Sequence, residues 1–318
     1  MSDRPFKLGV LIWPQYTPWQ PMIDAAASAD QLGYDSIWTW DHLYPIAGSP
    51  DGPIFEGYLT LAGMAAATDR ATLGLMVGAN TFRNPALTAK MATTLDHLSG
   101  GRAVLGIGGA WFETEHEAYG IDFGSGFGER LDRLDEAVEV MRGMLDGRPV
   151  SARGEHYRSR EVRNAPPPVQ DRLPILIGGG GEKKTLRTVA RFADAWNIGG
   201  SPDEVRRKDE VLRRWCDKVG RDESEIERTY QGGAVVLRAS EAEARRAAEE
   251  IGRANGGWKG PGIAGTSEQL IDRYAPYLDL GFRHIYIDFP APFDRETLER
   301  VAREVRPALE GAAGRTGG

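Results

Sequence analysis

A (β/α)8 TIM barrel is the fold this sequence predicts, on three observations. Eight short apolar runs rich in β-branched residues recur along the chain, stretches of helical periodicity separate them, and 318 residues hold the whole alternation in one domain. Strands that alternate with helices pair in parallel, and a doubly wound sheet usually stops near six strands. A single barrel domain over residues 1–310 is therefore expected, with residues 311–318 as a flexible C-terminal tail.

Each element follows in order. The first strand is read at residues 7–12, followed by a helix through Met22, Ile23, Ala26, Ala29 and Leu32 that ends on a Gly33 cap. Strands two to four fall at residues 36–40, 72–77 and 103–107, each about one helix length from the last. Helix four is read at residues 130–145, where Leu131, Leu134, Val138, Met141 and Leu145 recur at the spacing of one buried stripe. An insertion follows it: residues 147–172 are rich in Gly, Arg and Pro, including Pro166-Pro167-Pro168. Strands five to eight lie at residues 174–177, 195–198, 234–237 and 285–288. A second insertion, the Gly-rich stretch from Asn255 to Gly265, interrupts the seventh crossover, and a helix over residues 294–309 closes the ring.

Composition removes several function classes. A net charge of −7 and a pI near 5.4 repel phosphate backbones, so nucleic acid is not an expected partner. The clusters Arg206-Arg207-Lys208 and Arg245-Arg246 are interleaved with acids at helical spacing and read as solvated helix faces. One cysteine, Cys216, leaves no disulfide framework, which fits a reducing cytoplasm. No apolar run approaches the ~18 residues of a membrane span, and no export signal is recognised, so a cytoplasmic protein without a membrane partner is expected. There is no His-x-His pair and the five histidines are scattered, so no metal site is expected.

In a barrel the chemistry sits on the loops after the strands, and that rule selects the residues to weigh. Strand two leads into Trp40-Asp41-His42. A histidine there serves as proton donor or as hydrogen-bond partner of a reacting carbonyl, or is a loop residue satisfied by backbone. Strand three leads into Met76-Val77-Gly78-Ala79-Asn80, an ordinary strand-to-helix loop by itself. After strand four come Gly108-Gly109-Ala110-Trp111 and then Glu113 and Glu115, which superficially resemble a dinucleotide fingerprint. Trp111 stands where its third glycine belongs, and an acidic, aromatic loop is expected in place of a helix start. Glu113 and Glu115 read either as acid/base groups or as carboxylates drawn to a helix N-terminus.

The tetraglycine Gly178-Gly179-Gly180-Gly181 after strand five is the strongest local signal. Bare backbone N–H groups beside a helix start bind phosphate, the alternative being a tight turn that only glycine tolerates. Lys183 and Lys184 add charge there or face solvent. Trp13, Trp40 and Trp111 wall a substrate or fill core.

Taken as an ordered series, these segments resemble the luciferase-like monooxygenase superfamily, and within it the branch that uses the deazaflavin coenzyme F420. The series comprises Asp41-His42, Phe82-Arg83-Asn84-Pro85, the run Leu95-Asp96-His97-Leu98-Ser99-Gly100-Gly101-Arg102, Gly108 to Glu113 with Glu115-His116, the helix-four run from Arg130 to Glu136, and the tetraglycine with Phe192-Ala193-Asp194-Ala195-Trp196-Asn197. It spans roughly residues 7–310.

The resemblance implies a rim that cradles an isoalloxazine-like ring, with the phosphate on Gly178 to Gly181. It implies a non-prolyl cis peptide around Met76, Val77 and Gly78, with Asn80, Gly108 and Gly109 along the cofactor. It makes His42 the residue that assists proton transfer and Asp41 a contact of the deazaflavin. The chain departs from the F420-dependent sugar-phosphate and alcohol dehydrogenases in two places: Trp111 stands at or near an acidic position, which moves their proton donor to Glu113 or removes it, and Gln15 replaces an N-terminal acid. Their substrates are therefore not carried over.

The expectation is a hydride transfer between F420 and a small organic substrate, with His42 and Glu113 catalytic and Trp13, Gln15, Trp40 and Trp111 on the substrate. The alternatives are an FMN-dependent monooxygenase on the same barrel and a non-catalytic flavin-binding protein. A homodimer is implied by the resemblance alone.

Overall fold

The computed structural model describes residues 5–259 and 262–315. The strands, in chain order, are β1 (Lys7–Ile12), β2 (Ser36–Thr39), β3 (Thr72–Leu75), β4 (Gly78–Ala79), β5 (Ala103–Gly108), β6 (Ile175–Gly178), β7 (Ala195–Ile198), β8 (Glu227–Leu237), β9 (Ile263–Gly265) and β10 (His284–Phe289). Eight of them close a ring in the order β1-β2-β3-β5-β6-β7-β8-β10, every pairing is parallel, and β10 returns to β1 through six register pairs from Lys7 with His284 to Ile12 with Phe289. β4 prolongs the line of β3 beside β5, and β9 extends the far end of β8. This is the (β/α)8 barrel the alternation predicts.

Helices fill the crossovers: α1 (Trp19–Gln31), α2 (Gly57–Ala66), α3 (Pro85–Leu98), α4 (Glu113–Tyr119), α5 (Phe127–Leu145), α6 (Thr185–Phe192), α7 (Pro202–Val219), α8 (Glu241–Ala254), α9 (Ser267–Asp279), α10 (Arg295–Arg300) and α11 (Arg306–Arg315). Local chemistry sets their ends. Ser201 and Glu204 form a reciprocal capping box ahead of Pro202, and α7 stops on Gly220 in the left-handed region. In α5 the stripe Leu131, Leu134, Val138, Met141 and Leu145 is buried, as its spacing requires.

Strand alternation divides the core in two. One set of side chains packs outward beneath the helices; the other, including Leu11, Trp38, Met76, Leu176 and Tyr286, fills the barrel lumen. Trp38 and Tyr286 meet edge-on with centroids 5.3 Å apart. Gly74 makes room for this layer, since a Cβ there would lie 2.5 Å from the Trp38 ring. The lumen is packed below and opens only above the strand C-termini.

Four expectations are corrected. The seventh barrel strand, β8, starts at Glu227 rather than Ala234, because its first half is polar and aromatic and two glycines separate it from the apolar run. A helix, α4, stands where an acidic loop was expected. The Gly-rich stretch in the seventh crossover contains β9, with Gly260 and Pro261 outside the described residues. The C-terminal helix runs to Arg315 with Ala313 buried, so the boundary expected at Gly311 falls inside α11, and residues 316–318 lie outside the described residues. The segment 147–172 is irregular, tied by isolated bridges between Val150 and Val162 and between Arg153 and Arg158.

Candidate active site

A cavity of about 710 Å³ opens at the C-terminal end of the barrel, within the range of small-molecule and cofactor sites. Six barrel strands or the segments just after them reach it, through Trp40 and His42, Met76, Gly108, Gly178, Ile198 and Gln231. His42 and the tetraglycine line the same cavity.

The imidazole is held from one side. His42 Nδ1 lies 2.9 Å from Glu115 Oε1, and the other carboxylate oxygen of Glu115 accepts from the Leu43 N–H at 2.8 Å. A carboxylate accepts, so Nδ1–H donates and Nε2 is the nitrogen left for the cavity. Trp111 meets the His42 ring edge-on at 5.6 Å and Phe112 at 6.1 Å. Glu115 is fully buried because, as the third residue of α4, it lies on the face turned to the barrel. Glu113, expected to be catalytic, is the exposed first residue of that helix and lies outside the cavity lining. Two residues along a helix point to different sides, so α4 turns Glu115 and not Glu113 toward His42.

Asp41 lines the cavity, but its oxygens are largely spoken for. Arg83 grips it through both terminal nitrogens at 2.7 and 2.9 Å, and the Ala79 N–H donates to Oδ2 at 2.9 Å. Arg83 also bonds Glu56 at 2.6 Å and lies 4.9 Å over the Tyr58 ring. Burial works against the Arg83 cation, yet Asp41 and Glu56 outweigh it and hold the guanidinium protonated well above its ordinary value. The carboxylate thus ties the loop after β2 to the segment after β3. The peptide bond between Met76 and Val77 in that segment is cis.

On the opposite wall, β6 ends at Gly178 and α6 begins at Thr185 without a side-chain cap. The Trp196 indole donates to the Gly179 carbonyl at 2.8 Å, and the Gly179 N–H bonds the Asn197 carbonyl at 3.0 Å, which fixes the loop against β7. Side chains would fill this cradle: a Cβ at Gly178 would lie 2.9 Å from Val77, at Gly180 3.2 Å from Ile198, and at Gly181 2.6 Å from Thr185 Oγ1. Gly179 has φ +118°, which only glycine adopts freely. An uncapped helix start behind bare backbone suits a phosphate. The cation at this wall is Lys208 of α7, bonded to Glu182 at 3.0 Å. Lys184 turns away to Asp132 at 2.6 Å, and Lys183 is not in the lining.

The other expected residues separate into two groups. Trp40, Met76, Val77, Gly78, Gly108, Gly109 and Trp111 line the cavity, Trp111 being 60% exposed. Trp13, Gln15 and Asn80 do not. Trp13 packs in the lumen layer 4.6 Å from Trp40, Gln15 is consumed by the backbone of Ile46 and Ala47, and Asn80 donates to the Tyr157 hydroxyl. Lys208, Gln231 and Asp288 were missed. Asp288 stands near the end of β10, where the barrel rule looks, whereas Gln231 lies in the middle of β8 and carries no such signal in the sequence.

A parallel barrel whose tetraglycine loop and carboxylate-held imidazole line one cavity at the strand C-termini has the build of a cofactor-dependent barrel enzyme. The chain belongs to the luciferase-like monooxygenase family, whose model matches residues 8–274. An uncharacterized protein of Mycobacterium tuberculosis is 33% identical over 215 residues, covering 63% of this chain and 72% of its own. The F420-dependent glucose-6-phosphate dehydrogenase of Intrasporangium calvum is 27% identical, covering 93% and 96%. Among solved structures, the coenzyme F420-dependent tetrahydromethanopterin reductase of Methanopyrus kandleri superposes with a TM-score of 0.78 at 20% identity, over 96% of this chain and 99% of that one. Among the described residues no group of three or more His, Cys, Asp or Glu side chains is placed to hold a metal ion, and no helix is long and apolar enough to cross a membrane.

Proposed function

We propose that the protein is an F420-dependent oxidoreductase that moves a hydride between the deazaflavin and a small organic substrate. The observation that carries this reading is the cradle of Gly178 to Gly181 facing the His42–Glu115 pair across one cavity; the F420-dependent enzymes among the relatives point the same way. Gly178 to Gly181 would hold the cofactor phosphate, and Val77, Gly108 and Gly109 would lie against the ring. When bound, F420 supplies the hydride acceptor or donor. The protein's part is to bind and orient, to exclude water with Trp40 and Trp111, and to hold a proton at His42 Nε2. Glu115 fixes that ring and favours its protonated form in the transition state. Asp41 acts by holding the loops together, its contact with the cofactor being confined to the cavity wall.

Cytoplasmic residence is in keeping with the single buried Cys216. A homodimer is supported by Leu59 and Leu87, which are 72% and 51% exposed on the packed helices α2 and α3.

Titrating the purified apo-protein separately with F420 and with FMN, following ligand fluorescence, tests the reading. F420 is expected to bind and FMN to bind more weakly. Binding of FMN alone selects the monooxygenase alternative, and binding of neither refutes both.

A further inference from the structure

The substrate side of the cavity has a charge character of its own. Among the described residues the cations in its lining are Lys208 and, when protonated, His42, and each is already paired, with Glu182 and Glu115. Lys208 stands beside Gly180 at the tetraglycine wall, where it shares Glu182 with Arg207; away from that wall no cation other than His42 lines the cavity among the described residues. Trp40, Ile46, Met76 and Trp111 make much of the wall apolar.

Gln231 is one of the polar groups in that lining, and the backbone is shaped to put it there. Tyr230 of β8 packs outward, its ring 3.7 Å from that of Tyr277, so Thr229 and Gln231 face the lumen. Beyond Gln231 the register slips: Gln231 stands opposite Tyr286 but Ala234 stands opposite Asp288, so three steps on β8 match two on β10. Gly233, at φ +78°, lies in this bulge. The extra residue returns Ala234 to the lumen, and Gln231, level with Tyr286, lines the cavity. On β10 the alternation that buries Tyr286 in the lumen places Asp288 on the same face one step higher. Asp288 is 8% exposed and forms no ion pair among the described residues; the Gln231 amide nitrogen donates to its Oδ1 at 3.1 Å.

We propose that Gln231, oriented by Asp288, is the substrate anchor of this site, hydrogen-bonding the carbonyl or hydroxyl oxygen of an uncharged organic substrate. This assignment rests on the oxidoreductase reading and narrows its substrate class. One amide N–H of Gln231 is committed to Asp288, which fixes the side chain and leaves the second N–H and the carbonyl oxygen to serve a ketone or an alcohol. Asp288 is a positioning residue, since Gln231 and not Asp288 lines the cavity. A site built to bond an oxygen discriminates against an isostere that lacks it, because the buried amide is then left unpaired.

The test uses cyclohexanone and methylenecyclohexane, which share a shape and differ in the oxygen. Saturation-transfer NMR on the cofactor-free protein is expected to show about tenfold or greater preference for the ketone. Gln231→Met is expected to abolish the preference while hydrocarbon binding persists; Asp288→Leu weakens it with Gln231 still present, and Asp288→Asn restores it. In the wild-type protein the side-chain amide resonance of Gln231 shifts with the ketone and not with the hydrocarbon, a measurement that needs no variant. A preference retained in Gln231→Met, or an amide resonance indifferent to the ketone, overturns the proposal. F420 titration of the same samples reports the oxidoreductase reading separately: failure of the wild-type protein to bind F420 overturns that reading whatever the ketone experiment gives.

Discussion

Asp288 is a buried carboxyl with no cationic partner among the described residues, and replacing it with asparagine should change how stability depends on pH. Burial raises its pKa, the amide of Gln231 and the indole N–H of Trp13 lower it in part, and the result stands at about 6 against an ordinary 3.8. The folded state therefore disfavours the ionised form. Stability from this group is fully present below the unfolded value and is lost as pH rises through 3.8 to about 6. The difference of about 2 pH units corresponds to ~3 kcal/mol, of which ~2 kcal/mol develops between about pH 4.5 and 7.5. The neutral amide of Asp288→Asn escapes this loss. Urea unfolding of both proteins across that interval should show the variant gaining ~2 kcal/mol on the wild type, with unchanged m-values. A stability difference that stays constant with pH, or that shrinks as pH rises, would refute a carboxyl ionising at a cost within the fold.

Three further outcomes follow from the site. Arg83→Met strands the Asp41 carboxylate, whose side chain is 1% exposed, and should cost roughly 3–5 kcal/mol in urea unfolding; adding Asp41→Asn should recover part of that loss. Gly180→Val puts branches into the cradle beside Ile198 and Lys208 and should weaken F420 binding by about tenfold or more, read by fluorescence titration, with little change in melting temperature. Glu115→Gln keeps an acceptor for His42 Nδ1 but removes the carboxylate charge beside the ring, so turnover should fall about tenfold or more, while F420 affinity holds. Unchanged turnover would remove His42–Glu115 from the chemistry.

Much of the architecture was legible in residue order. The eight apolar runs, the stripe of α5 and the position of the tetraglycine after β6 depend on periodicity and turn chemistry, which act over a few residues and are written locally. The rule that barrel chemistry sits at strand C-termini then placed His42 and Gly178 to Gly181 at one opening. What local reading lacked was direction. Glu113 and Glu115 are equivalent as letters, and only the turn of α4 against the barrel decides that Glu115 reaches His42. That Asp41 is also gripped by Arg83, forty-two residues away, could not be read from either segment alone. Gln231 and Asp288 belong to strands far apart in the chain, and a slipped register joins them. The sequence by itself determined the strand–helix alternation of the barrel and which end of it carries the site. Tertiary structure alone decided which polar groups meet there, because hydrogen bonds and ion pairs between distant segments depend on ångström-scale placement that no local propensity encodes.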